Sequence, residues 1–351
     1  MQTTHEIFAH NSCEMNEIPD DSVNLIVTSP PYPMIEMWDS LFFQLNPAIK
    51  HRFDAKDYNT AFRMMHDELN KTWAESAKKL KSGGIFCVNV GDATRTFEGN
   101  FQLWQNHSMI IKYLTESLGL ILLPSIIWRK STNKPNKFMG SGMLPPNAYV
   151  THEHEYILVF RKGSKRKFSK DENERRYESA FFWEERNVWF SDVWLDLTGT
   201  KQEITYDSRD LRERSAAYPF ELVHRLIRMY SIYGDTVLDP FWGTGTTTLA
   251  AILSGRNSFG YEICDELINR FLNDVTKCKA ISKKQNQHRL CSHLEFVRTN
   301  KGKLKHINKT FDFPVMTTQE TRIKLFDVDA ITINSDNSIA VQYQPHKLIS
   351  D

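Results

Sequence analysis

Val23-Asn24-Leu25-Ile26-Val27-Thr28-Ser29-Pro30-Pro31-Tyr32 is a strand that is made to stop. The apolar run 23–27 reads as a buried strand. Proline fixes φ and has no N–H to donate, so Pro30-Pro31 cannot continue a sheet. The chain must turn there, and the turn is stiff. It holds the Ser29 hydroxyl, the Pro30 carbonyl and the Tyr32 ring at the C-terminal edge of a strand, where open α/β sheets place ligands. Two acceptor oxygens and an aromatic face suit a flat heterocycle bearing an exocyclic NH2. The plainer alternative is a Pro-rich turn with a surface tyrosine, so the turn needs a partner motif.

That partner is Asp235-Thr236-Val237-Leu238-Asp239-Pro240-Phe241-Trp242-Gly243-Thr244-Gly245-Thr246-Thr247. A short apolar strand ends in an acid, passes a Gly-x-Gly loop and enters a helix over 248–253. Glycine admits close approach of a ligand, and the first turn of a helix offers free N–H groups. The third glycine of a dinucleotide fingerprint is absent, with Thr248 in its place. The next strand, 258–262, ends in Glu262, about 20 residues on, where an acid binds ribose hydroxyls. Each piece alone reads as a tight turn or a surface glutamate. Together they favour a bound adenosine.

With both motifs in hand, the chain resembles the amino DNA methyltransferases, in the permuted β group whose catalytic motif precedes the cofactor motif. The resemblance runs from about residue 7 to about 275. It includes Lys81-Ser82-Gly83-Gly84 before the strand 85–90, Gly91-Asp92, Ile126-Ile127-Trp128-Arg129-Lys130, the strand 154–160 and Tyr218-Pro219-Phe220-Glu221-Leu222-Val223. It implies a Rossmann-like α/β fold with a mostly parallel sheet flanked by helices. It also implies S-adenosylmethionine as methyl donor and double-stranded DNA as partner, with the target base flipped out. Carried over residue by residue, Ser29, Pro30, Pro31 and Tyr32 form the catalytic turn. Thr28, Asp239, Phe241, Gly243, Gly245 and Thr246 line the cofactor, Glu262 meets its ribose and Pro219 covers its methionine end. Where the family has Gly-Asp before the catalytic strand, this chain has Asn11-Ser12, so Ser12 stands for the residue near the adenine. Serine at the head of the turn resembles the N4-cytosine members of restriction-modification systems. N6-adenine is the alternative, and aspartate is commoner there. A fold that has lost catalysis and only binds DNA, or one acting on RNA or a protein amide, are further alternatives; the intact motifs and their permuted order favour DNA methylation. A cognate restriction endonuclease is a possible partner, without a stable complex.

Charge is balanced over the 351 residues, with 44 Lys/Arg against 43 Asp/Glu, so net charge does not announce nucleic acid. Its distribution is more telling. Ten Lys/Arg face one acid between Lys277 and Lys309, and eight face three between Arg161 and Arg176. Such runs can neutralise phosphates or be plain solvated faces. Arg129, Lys130, Lys134, Lys137, Lys165, Arg166, Lys167, Lys283 and Lys284 are the candidate DNA contacts. No signal-like or membrane-length apolar stretch occurs, so a soluble cytoplasmic protein of a prokaryote is expected. Five cysteines lack CxxC or metal spacing and read as reduced, and none follows a proline as in the cytosine-C5 enzymes. His152 and His154 flank Glu153 without a third ligand, which gives no metal site.

The expected organisation is a catalytic half (1–160), a target-recognition region (161–217), a cofactor half (218–275) and an appended basic and β segment (276–351). Within these, a strand opens at 7–10, and a helix carries Ala61, Met65 and Leu69 until Gly83-Gly84 stop it. A second helix lies within 95–124, with a long loop over 131–149. The aromatics Phe181, Phe182, Trp183, Trp189, Phe190 and Trp194 are expected to form a satellite core for the most part. Alternation at 330–334 and 339–343 predicts a β-hairpin in a small C-terminal domain.

Overall fold

The strand 23–28 is buried at all six residues, and a strand buried on both sides needs cover on both sheet faces. A computed structural model, describing residues 1–130, 139–197 and 218–347, provides it. The strand lies inside a mixed sheet whose order is 193–194, 126–129, 154–161, 80–90, 23–28, 236–239, 257–261, 2–8, 339–345 and 326–333. The central five, from 80–90 to 2–8, are parallel. The flanks are antiparallel where 154–161 meets 80–90 and where 339–345 meets 2–8.

Side chains alternate between two cores, as the period of two demands. Phe86, Val88 and Val90 join Trp73, Met65 and Leu69 of the helix Tyr58–Lys79 on one face. Leu25, Val27 and Cys87 join Leu222, Leu226 and Ile227 of the helix Phe220–Tyr230 on the other. The C-terminal ends of the parallel strands therefore share one edge. Thr28, Val90, Asp239 and Tyr261 are the last residues of their strands there.

Several elements differ from expectation. The helix 58–79 ends before the strand Leu80–Val90, so Gly83-Gly84 do not stop it. They lie in a register shift against strand 23–28, with Gly83 at φ +83° donating to the Lys162 carbonyl. Residues 93–104 form a hairpin, and the second helix is only Asn106–Lys112 with a wide turn to Ser117. The first strand is Gln2–Phe8, earlier than the sequence implied. The C-terminal hairpin is present at Phe326–Ile333 and Ile339–Pro345, but it is not a domain apart. Its inner strand pairs with 2–8, and Val328, Ile339, Val341 and Tyr343 pack with Trp242, Ile252 and Phe271. Phe182 joins a satellite cluster with Leu290, Phe313 and Val315, whereas Trp194 enters a main core.

Candidate active site

The turn after strand 23–28 keeps Pro30, Pro31 and Tyr32 buried and Ser29 half-buried. Thr28 points inward and donates from Oγ1 to Asp239 Oδ1 at 2.6 Å. Asp239 is only 1% exposed and is met by other donors as well. Thr247 Oγ1 at 2.6 Å and Tyr218 OH at 3.2 Å reach Oδ2, and the Phe241 amide reaches Oδ1 at 3.1 Å. Burial still pushes this carboxyl above its ordinary value, against those hydrogen bonds. Asp239 and Thr28, expected to line the cofactor, are thus joined to each other. They tie the strand 23–28 to the glycine loop.

The two loop glycines serve different ends. At Gly245, φ is +80° and a Cβ would sit 2.5 Å from Phe271 and 2.7 Å from Trp242, so packing alone demands glycine. At Gly243, φ is +57° and a Cβ would find nothing nearer than the Phe241 carbonyl at 3.8 Å. That open space lies beside Glu262, which accepts from the Gly243 amide at 2.8 Å and the Cys264 amide at 2.9 Å. Burial raises the Glu262 carboxyl, and those amides oppose the rise. Thr246 starts the helix Thr246–Ser254. Phe241 is half-buried, with its ring 5.3 Å from Trp73. Pro219 caps the helix Phe220–Tyr230, and Ser12 is bonded to Thr72 at 3.2 Å. An open cradle, a carboxylate and a helix N-terminus at one strand edge fit a nucleoside with a ribose diol.

Asn89 and Glu155, given no role by the sequence, converge on Tyr32. Its hydroxyl lies 3.0 Å from Ser29 Oγ, 3.0 Å from Asn89 Nδ2 and 3.1 Å from Glu155 Oε2. Asn89 also donates to Glu155 Oε2 at 2.7 Å, and Lys130 Nζ donates to Oε1 at 2.7 Å. Tyr32 packs against Gly91, where a Cβ would come within 3.1 Å of its ring. Fully buried Asn106 donates to the Pro33 and Gly91 carbonyls at 3.1 and 3.0 Å. The signal for Glu155 was a carboxylate leading directly into the apolar run 156–160 of the strand His154–Arg161, where a buried charge needs a partner.

The candidate DNA contacts divide between the two sheet edges. Arg129 ends strand 126–129 on the edge that carries the Ser29–Tyr32 turn, two-thirds exposed and 3.1 Å from Glu153, and Lys130 follows it. Strand 154–161 then runs away from that edge, since Tyr156 faces Val90 and Arg161 faces Ile85. Lys165, Arg166 and Lys167 therefore come to the opposite edge, roughly 17 Å from the turn at strand spacing. Arg166 is held there by Asp235 at 2.6 Å and Glu172 at 2.8 Å, so its charge serves the fold. Lys283 and Lys284 lie on the helix Cys278–Thr299, which packs on strand 326–333. Lys134 and Lys137 lie outside the described residues. Among the described residues, no His, Cys, Asp or Glu cluster could hold a metal ion, and no helix is long and apolar enough to cross a membrane.

Known proteins resemble this chain in sequence and in fold. The N6/N4 DNA methylase family matches residues 23–273. The type II methyltransferase M.MthZI of Methanothermobacter thermautotrophicus is 52% identical over 331 residues, covering 93% of this chain and 91% of that one. M.MjaI of Methanocaldococcus jannaschii is 51% identical, over 74% of this chain and 88% of its own. TTHA0409 of Thermus thermophilus, solved with S-adenosyl-L-methionine, superposes with TM-score 0.58 at 29% identity, covering 76% of this chain and 90% of that one. The cytosine-N4-specific PvuII DNA methyltransferase shares the fold at TM-score 0.54 and 18% identity, over 76% of this chain and 85% of its own. With the Ser29–Tyr32 turn and the glycine loop on one strand edge, this chain belongs to the N6/N4 DNA methylase family.

Proposed function

We propose that the chain methylates the N4 amine of a cytosine turned out of double-stranded DNA, using S-adenosylmethionine. The observation that carries this is the placement of Ser29, beside the Pro30 carbonyl, one hydrogen bond along the strand edge from the loop that begins at Asp239. An exocyclic amine is a poor nucleophile because its lone pair is delocalised into the ring. Donating its two N–H bonds to the Ser29 hydroxyl and the Pro30 carbonyl draws the nitrogen toward tetrahedral geometry and localises that pair. S-adenosylmethionine, when bound, would supply a methyl from its sulfonium and leave as the neutral thioether S-adenosylhomocysteine; the amine gives up one proton to solvent as its N–C bond forms. No covalent enzyme intermediate is required, and the work of the protein is positioning.

The Glu262 carboxylate retains acceptor capacity for ribose hydroxyls, and the space at Gly243 leaves room for the nucleoside. Tyr32 forms a wall for the flipped base. Serine in place of aspartate at the head of the turn supports cytosine over adenine, by resemblance. Arg129, two-thirds exposed on the same edge, supplies a phosphate contact. Incubating plasmid DNA with isotopically labelled cofactor and identifying the methylated nucleoside by mass spectrometry tests the proposal. N4-methylcytosine is expected, and N6-methyladenine would move the target to the other base.

A further inference from the structure

We propose that Glu155 is a positioning residue that sets the direction of the hydrogen bond between Tyr32 and Ser29, presenting the Ser29 oxygen to the substrate amine as an acceptor. The inference rests on the catalytic reading of Ser29 above and adds a second carboxylate to that site.

A count of donors carries it. An ionised carboxylate only accepts, so at 3.1 Å the Tyr32 hydroxyl must donate to Glu155 Oε2. A charged acceptor outcompetes the other choices open to that proton, the Asn89 carbonyl at 3.5 Å and Ser29. The Tyr32 oxygen is then an acceptor for its other neighbours. Asn89 Nδ2 donates to it at 3.0 Å, and Ser29 Oγ, also at 3.0 Å, must donate its one proton. Asn89 cannot be turned over, because its Oδ1 would then face the Glu155 carboxylate across 2.7 Å. Burial and the Glu155 charge hold the Tyr32 hydroxyl well above its usual range, so it keeps its proton. With its proton committed inward, Ser29 has only lone pairs to offer the half-open side of the turn. An amine arriving as donor finds an acceptor, with no reorientation needed at the moment of reaction.

Lys130 makes the idea testable with a single atom change. It bonds Glu155 Oε1 at 2.7 Å, so in Glu155→Gln it retains the amide oxygen and leaves the NH2 facing Tyr32 and Asn89. Tyr32 is then freed to donate to Ser29, whose own proton swings toward the amine. Shape is preserved and polarity is reversed. We expect kcat of Glu155→Gln on cognate DNA to fall by about tenfold or more, about 1.4 kcal/mol of barrier per decade. The cofactor dissociation constant, KM for DNA and melting temperature should stay within about twofold or a few degrees. In a Tyr32→Phe background, which keeps the ring but removes the relay, Glu155→Gln should change kcat by less than about twofold. A structural role would instead lower the melting temperature and persist in that background, and either result overturns the proposal. Should Glu155→Gln not fold, Tyr32→Phe alone decides, because wild-type kcat without the hydroxyl overturns the relay. Ser29→Ala separates the two levels. An active Ser29→Ala sinks the catalytic reading itself, whereas an inactive one beside a fully active Glu155→Gln sinks only the role of Glu155.

Discussion

Thr28 Oγ1 donates to Asp239 Oδ1 at 2.6 Å, joining residues 211 positions apart at the ends of adjacent parallel strands. One bond thereby couples the Ser29–Tyr32 turn to the glycine loop. Thr28→Val keeps the shape and removes a donor from a buried carboxylate. A hydrogen bond to a charged group is worth about 1.5–3 kcal/mol, and urea unfolding should register a loss of that size. Methyl transfer should fall as well, because the two motifs lose their shared anchor.

The loop glycines should part company on mutation. Gly245→Ala places a Cβ against Phe271 and Trp242 at positive φ, so a drop in melting temperature is expected before any ligand is added. Gly243→Ala meets no such wall and costs only about 1 kcal/mol of backbone strain. Its larger effect should be a weaker cofactor dissociation constant by calorimetry, shared by Glu262→Ala. Equal stability in both alanine variants would contradict this division.

Acid should unfold the protein partly through two histidines. Burial lowers His5 to about 3 and His66 to about 4, so both are neutral in the native state at pH 6. The unfolded chain takes up these protons near 6.5, and so binds more protons than the native state below that pH. Stability is therefore full above about 6.5 and is lost as pH falls toward the native values. Each group contributes up to about 1.4 kcal/mol per pH unit in that window. His66→Gln, which can still donate to Asn106, should flatten the slope between about pH 6 and pH 4 in denaturant titrations.

Removing residues after Val275 should cost stability, and not only DNA affinity. The truncation unpairs strand 2–8 along one side and strips Val328, Ile339, Val341 and Tyr343 from a core shared with Trp242 and Phe271. A lower melting temperature with joint loss of cofactor and DNA binding is expected. A truncated protein that melts like the full chain would overturn this.

Arg129 and Arg166 should respond oppositely. Arg129→Ala on the catalytic edge should reduce the salt slope of DNA binding by about one, the signature of one lost phosphate contact. Arg166→Ala should leave that slope unchanged and lower the melting temperature, because it breaks the pairing with Asp235 and Glu172.

Elements whose local chemistry has one outcome were legible before any folding was considered. Pro30-Pro31 must end a strand, the Gly243–Gly245 loop must turn into a helix, and the alternation at 330–343 must make a hairpin. These identify an α/β fold and put the turn and the loop on strand ends. What those pieces touch follows only from how the strands pair. Whether Asp239 faces a ligand or Thr28 depends on which strands are neighbours, a long-range pairing that no local propensity encodes. Gly83-Gly84 read as a helix stop because glycine serves helix ends and strand irregularities alike. Lys165 to Lys167 read as DNA contacts because a run of charge has no direction until the strand before it does. Glu155 had no visible role for the same reason: a carboxylate gains its chemistry from the Tyr32, Asn89 and Lys130 that folding brings to it, and all three lie at least 25 residues away in the chain.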